Sequence, residues 1–155
     1  MVDKLNFHSC EKINKSITRI VVIMLERDID PEILNEAESR MKWIIHKGKD
    51  ILYEDYRNLT GNQIAQLVPA ITKLTEDKDY KGILLLLDFT NSFANKEATN
   101  AFGESGKISK DRLKKTAVLG ITGVKKVLLN FVNRVSKVDA KPFNSEENAK
   151  DWLVS

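Results

Sequence analysis

The sequence predicts an α/β fold: a mixed, mostly parallel sheet that opens with a hairpin and continues through crossover helices, preceded by a helical extension over residues 1–40. Three observations carry this. Two runs rich in β-branched and aromatic residues, 41–46 and 50–56, flank the turn Lys47-Gly48. The stretch from Ile83 to Leu87 is unbroken apolar chain, as in a strand covered on both faces. After it, strand-like and helix-period segments alternate, the order that parallel strands joined by crossover helices require.

The composition bounds the class. At 155 residues the chain has the ~100–200 residues of one domain, enough to bury a core without disulfide or metal staples. With 42% hydrophobic and 30% charged residues, it has ordinary globular usage rather than that of a disordered or fibrous chain. Cys10 is the single cysteine, so no internal disulfide can form and a cytoplasmic setting is expected. The apolar run Ile20 to Leu25 falls far short of the ~20 residues that cross a bilayer, and no cleavage pattern follows it.

Taken in order, Glu11 to Arg27 carries apolar residues at helical spacing (Ile13, Ile17, Ile20, Val21, Met24). Asp30-Pro31 reads as an N-cap and a first-turn proline opening a short helix through Ile33, Leu34 and Ala37. These make up the extension; residues 41–155 form the α/β domain. Met41 to His46, the glycine turn, and Asp50 to Tyr56 form the hairpin, with Gly48 supplying positive φ. Thr60 and Gln63 make a capping box before the stripe Ile64, Leu67, Val68, Ile71, Leu74, and Pro69 inside it predicts a bend. The central strand spans Gly82 to Asp88. A weaker helix follows from Asn95 to Lys107, then a buried strand from Thr116 to Ile121. Thr122-Gly123 should cap a helix with the apolar face Val124, Val127, Leu128, Phe131, Val132, Val135. A short extended stretch from Ala140 to Phe143 precedes a last helix capped by Asn144 or Ser145 and holding Ala149, Trp152 and Leu153.

This order, with the stretches Thr60-Gly61, Gly82-Ile-Leu-Leu-Leu-Leu-Asp88, Lys115-Thr-Ala-Val-Leu-Gly-Ile121 and Pro142-Phe-Asn-Ser through Trp152-Leu153, resembles the STAS domains of sulfate transporters and anti-sigma-factor antagonists. It is most similar to a bacterial and archaeal branch grouped with CRAL-TRIO lipid-binding domains. The likeness covers residues 41–155. It implies a non-enzymatic regulatory or protein-interaction module. The antagonists carry a phosphorylatable serine in Asp-Ser-Ser-Gly after the central strand. Here that stretch reads Asn95-Lys-Glu-Ala-Thr99, so the phosphorylation switch is not carried over, and Ser92 and Thr99 are merely nearby hydroxyls.

Open α/β sheets place ligands beyond the carboxyl ends of their strands. Asp88, Thr90, Asn91 and Asn95 are therefore candidates to line a polar pocket, and equally candidates to cap a helix and shape a turn. Thr122 and Gly123 with Lys125 and Lys126 combine a glycine turn, a helix start and two cations, the ingredients of an anion site, though the further glycines of a P-loop are absent. The bland alternative is a short crossover with solvated lysines. Between Gly103 and Pro142 stand ten basic and three acidic residues. Such a segment suits an anionic ligand or lipid surface, or is a solvated face; without interleaved aromatic residues, nucleic acid is not favoured. The helix from Val124 to Lys137 either packs on the sheet or lies on an anionic membrane.

No metal or cofactor is expected. His8 and Cys10 form a lone pair, and His46 is distant in sequence. Glu54 and Asp55 are neighbours on a strand, point to opposite faces and do not share a proton. The same scarcity of histidine and cysteine disfavours a Cys-His nucleophile pair, and the nucleophile elbow of a serine triad is absent, so no enzyme is expected. Two readings of function follow. The first is an interaction module presenting Asp88 to Lys110 to a partner protein. The alternative is a binder of an anionic small molecule or lipid whose head group sits at Thr122 to Lys126. The apolar stretch Ile20 to Leu25 makes a homodimer one candidate assembly.

Overall fold

A computed structural model describes residues 29–76 and 78–155. The expected helix from Glu11 to Arg27, the His8–Cys10 pair and the candidate dimer stretch at Ile20 to Leu25 lie outside the described residues. Residues 31–155 form one compact unit.

Helix α1 (Pro31–Ser39) packs on α2 (Gly61–Glu76) and on strand β1 (Met41–His46), so this first-turn-proline helix is part of the described unit. Strand β2 (Lys49–Asp55) pairs antiparallel with β1 through the turn at Lys47 and Gly48, which take φ of 49° and 77°. The capping box at the start of α2 forms as the sequence predicts. The Thr60 amide donates to Gln63 Oε1 at 2.9 Å and the Gln63 amide to Thr60 Oγ1 at 3.4 Å. The helix then runs without a break through Pro69, whose ring is exposed.

The leucine run is β3 (Ile83–Asp88), buried at all six positions. It pairs in parallel with β2 on one side and with β4 (Leu113–Leu119) on the other. Strand β4 begins three residues before the predicted Thr116, because Lys114 and Lys115 at its half-exposed start do not read as buried strand. It ends at Leu119, two residues before the predicted Ile121, because Gly120 with a φ of 72° turns the chain. Helix α3 (Lys96–Ser109) lies between β3 and β4, with Asn95 as its cap. Helix α4 (Val124–Ser136) leads to β5 (Ala140–Phe143), which pairs in parallel with β4. Gly123, the second residue of the predicted Thr122-Gly123 cap, is the cap of α4, and no side-chain hydrogen bond closes it. Ser145 caps the last helix, α5 (Glu146–Val154), by accepting from the Asn148 amide.

The sheet order is β1-β2-β3-β4-β5, chain order throughout. Right-handed crossovers between neighbouring strands taken in sequence place every crossover helix on the same side. Helices α2, α3 and α4 thus share one face, and α5 alone covers the other. Under α5 the core is continuous: Ile51, Tyr53, Leu84, Leu86, Ala117 and Leu119 of the sheet meet Ala149 and Leu153. The opposite parity, Leu52, Glu54, Leu85, Leu87, Thr116 and Val118, faces the three crossover helices.

Candidate functional site

The helix-covered face does not close. Between it and helices α2 to α4 lies a cavity of about 120 Å³. The α3 side explains the gap: the residues turned toward the sheet include Ala98, Ser105, Gly106 and Ser109, too small to fill the distance to the strands. On α2, Thr72 and Thr75 also line the cavity and turn their hydroxyls back onto the carbonyls of Val68 and Ile71. Leucines of β2 and β3 form the floor, and Leu128, Leu129 and Val132 of α4 a wall.

Among the polar groups that reach this largely apolar space, three bear on what it could hold. Thr116 is 3% exposed, and its Oγ1 is the buried side-chain atom left without a hydrogen-bond partner among the described residues. Such a group costs about 1–3 kcal/mol until something bonds to it. Glu54 is 7% exposed and accepts from the Tyr56 hydroxyl at 2.9 Å. Burial pushes its carboxyl from 4.5 up to about 7 against the lowering effect of that bond. Tyr56 is held in turn between Phe89, stacked at 5.1 Å, and Phe102, edge-on at 5.2 Å. Lys125, at the start of α4, lines the cavity and spends its ammonium on two carbonyls, Phe89 at 3.2 Å and Ser92 at 3.3 Å. Burial lowers its pKa.

The candidates raised by the sequence lie at the strand ends, in two groups. Asp88 faces the α5 side, where Oδ1 accepts from the Thr90 amide at 2.9 Å and hydroxyl at 2.6 Å, and Oδ2 from Tyr53 at 3.1 Å. Arg57 stands 3.9 Å away, paired mainly with Asp55, whose carboxyl it holds below the usual range. Asn91 is exposed in a left-handed turn, φ 58°. Asn95 caps α3 through the Ala98 amide at 2.9 Å and donates to Asn62 at 2.8 Å. These four shape turns and helix starts. Thr122, Gly123 and Lys126 are exposed, and the amides of Lys125 and Lys126 turn back onto the carbonyls of Thr122 and Gly123. Of the eight, Lys125 alone reaches the cavity.

The two hydroxyls nearest the antagonists' phosphorylated position are both buried. Ser92 donates to the Phe89 carbonyl at 2.7 Å and Thr99 to the Asn95 carbonyl at 2.8 Å.

Sequence reasoning missed Thr116 and Glu54 as a pair facing one space. The parity of Leu52, Glu54 and Tyr56, with Leu52 and Tyr56 both bulky, was the available signal for Glu54. A further group, His46, Glu147 and Asp151, converges near the turn of the hairpin. There Asp151 Oδ1 is 2.6 Å from both His46 Nε2 and Lys47 Nζ, so a lysine ammonium already takes the place a cation would fill.

A family model described as SpoIIAA-like matches residues 54–154. The chain belongs to the SpoIIAA-like family. This agrees with the resemblance to anti-sigma-factor antagonists drawn from its element order. Among solved structures it is similar to an uncharacterised protein of the DUF3478 family with a SpoIIAA-like fold from Shewanella loihica PV-4. That likeness has a TM-score of 0.55 at 18% identity and covers 73% of this chain and 91% of the other, and it shows the SpoIIAA-like fold. No curated protein matches the chain. Among the described residues, no helix is long and apolar enough to cross a membrane.

Proposed function

We propose that this SpoIIAA-like domain is a non-enzymatic regulatory module that responds to a small, predominantly apolar ligand held between the sheet and helices α2 to α4. The observation that carries the reading is the cavity of about 120 Å³ with the unpartnered Thr116 hydroxyl buried in its lining. An apolar wall with few convergent polar groups is the usual chemistry of a small-molecule site. Strand geometry sets the Cα atoms of Glu54 and Thr116 about 12 Å apart: two strand spacings across, and two residues along. A ligand with an elongated apolar body and a neutral hydrogen-bonding group suits this arrangement. An anionic head group at Thr122 to Lys126 gains less support, because Lys125 is already committed to two carbonyls.

Titration of the purified protein with a solvatochromic apolar dye, alongside native mass spectrometry, tests the proposal. Saturable binding that Val118→Phe abolishes while leaving the fold intact is the expected result, since Val118 is fully buried on the cavity side of β4. Dye binding untouched by both Val118→Phe and Leu85→Phe rules the cavity out as the site.

A second reading has its own observation. Phe93, within the stretch 88–110 expected to meet a partner protein, is 75% exposed. A large aromatic side chain left in water is a common anchor at protein interfaces. Loss of a captured partner on Phe93→Ser, with dye binding retained, is the outcome that selects it.

A further inference from the structure

Helix α4 carries more apolar surface than the cavity uses. Leu128, Leu129 and Val132 line the cavity. Val124, Val127 and Phe131 point elsewhere, with exposures of 70%, 66% and 44%. Their spacing, i, i+3 and i+7, sets them in one row along the helix. Beside this row stand Lys126, Arg134 and Lys137, all exposed. No acidic residue occurs from Arg112 to Val138, a stretch that holds seven basic ones. Apolar side chains in a row, flanked by cations and free of carboxylates, are the features of a helix that lies in the plane of an anionic bilayer.

The helix is fastened in a way that leaves this row free. At its first turn, Lys125 is bound to the carbonyls of Phe89 and Ser92. Near its last turn, the Asn133 amide donates to the Ala140 carbonyl at 2.9 Å and its Oδ1 accepts from the Ala140 amide at 3.1 Å. Gly103 and Gly106 of α3 bring that helix against Val135 and Ser136. Polar pins at both ends and a close glycine contact set the position of α4, so the exposed row is not needed to hold it.

We infer that the outer face of α4 docks on an anionic lipid surface, with Val124, Val127 and Phe131 entering the head-group boundary and Lys126, Arg134 and Lys137 pairing with lipid phosphates. The cations favour this occupant over a second copy of the chain, since pairing two such faces would bring like charges together. The inference is independent of what the cavity binds.

Co-sedimentation with vesicles tests it. The full chain is mixed with phosphatidylcholine vesicles, with or without about 30% phosphatidylglycerol, at salt from about 0.1 to about 0.5 M. The expected result is binding at least about tenfold tighter to the anionic vesicles, weakening as salt rises. Val127→Ser with Phe131→Ser, and separately Lys126→Glu with Arg134→Glu, should each reduce binding by at least about tenfold. Ile45→Ser, on the exposed strand β1, should leave it unchanged and controls for general stickiness. All substituted side chains are exposed, and circular dichroism checks that each variant is folded. Equal binding to both vesicle types, or binding retained by both double variants, overturns the inference. So does a concentration-dependent dimer that the serine pair dissolves while vesicles are ignored.

Discussion

Replacing Glu54 with Gln should remove most of one pH dependence from the stability of the domain. In the unfolded chain this carboxyl loses its proton near 4.5; in the fold, burial carries the midpoint up to about 7. The folded state therefore holds the proton more tightly between those values. The stabilisation is fully present below about 4.5 and is lost as pH rises through 7. At 1.36 kcal/mol per pH unit, the difference amounts to about 3 kcal/mol, a large share of the stability of a domain this size. Glutamine keeps an acceptor for the Tyr56 hydroxyl but has nothing to ionise. Urea denaturation from pH 5 to pH 8 should show the wild type losing about 3 kcal/mol relative to Glu54→Gln, or roughly 6–12 °C in melting temperature. Other titrating groups are common to both proteins and cancel in the difference. Parallel curves would refute the reasoning, since they would mean that Glu54 ionises in the fold as freely as in water.

Four further substitutions, in two pairs, separate packing from polarity around the cavity and backbone strain from crowding at the turns. Thr116→Val should leave the ligand-free protein as stable or more stable, by up to about 1–2 kcal/mol in chemical denaturation, because the lost hydroxyl has no partner. Thr72→Val, on the opposite wall, should instead cost about 1 kcal/mol, because its hydroxyl bonds both Val68 and Ser105 at 2.7 Å. Gly120→Ala should destabilise by about 2–4 kcal/mol in a thermal melt, since a Cβ there would lie 2.5 Å from the Thr90 nitrogen at a φ of 72°. Gly48→Ala, at a similar φ but in open space, should cost only about 1 kcal/mol.

The fold was legible because its signals are local. A glycine turn between two β-rich runs gives the hairpin, Thr60 and Gln63 announce α2, and the Ile83 to Leu87 run can be buried on both faces only inside a sheet. Boundaries blurred where charge interrupts a strand, as at Lys114 and Lys115. The candidate site was legible only in part, because it depends on distances between layers. Nothing in the spacing of Ala98, Ser105 and Ser109 tells whether the opposite sheet face will come close enough to fill the gap. The direction of Lys125, inward onto two carbonyls rather than outward to an anion, likewise depends on where the loop after β3 ends. Along the sequence Asp88 suits a pocket or a turn equally; its bonds from the Thr90 amide and hydroxyl are those of a turn, and the one from the Tyr53 hydroxyl ties it to the neighbouring strand β2.

The breadth of the apolar arc on α4 now has a physical account. Read along the sequence, that arc offered a choice between a helix packed on a sheet and a helix on a membrane. In space it divides: Leu128, Leu129 and Val132 face inward, while Val124, Val127 and Phe131 face out. A helix fastened only by its apolar stripe would have to press onto the sheet to bury it, and the cavity would close. Here Lys125 and the paired bonds of Asn133 to Ala140 fix the two ends, each bond contributing about 1 kcal/mol. The polar pins thus make both an unfilled interior and an uncovered exterior tolerable, and cutting them should loosen the cavity wall before it unfolds the sheet.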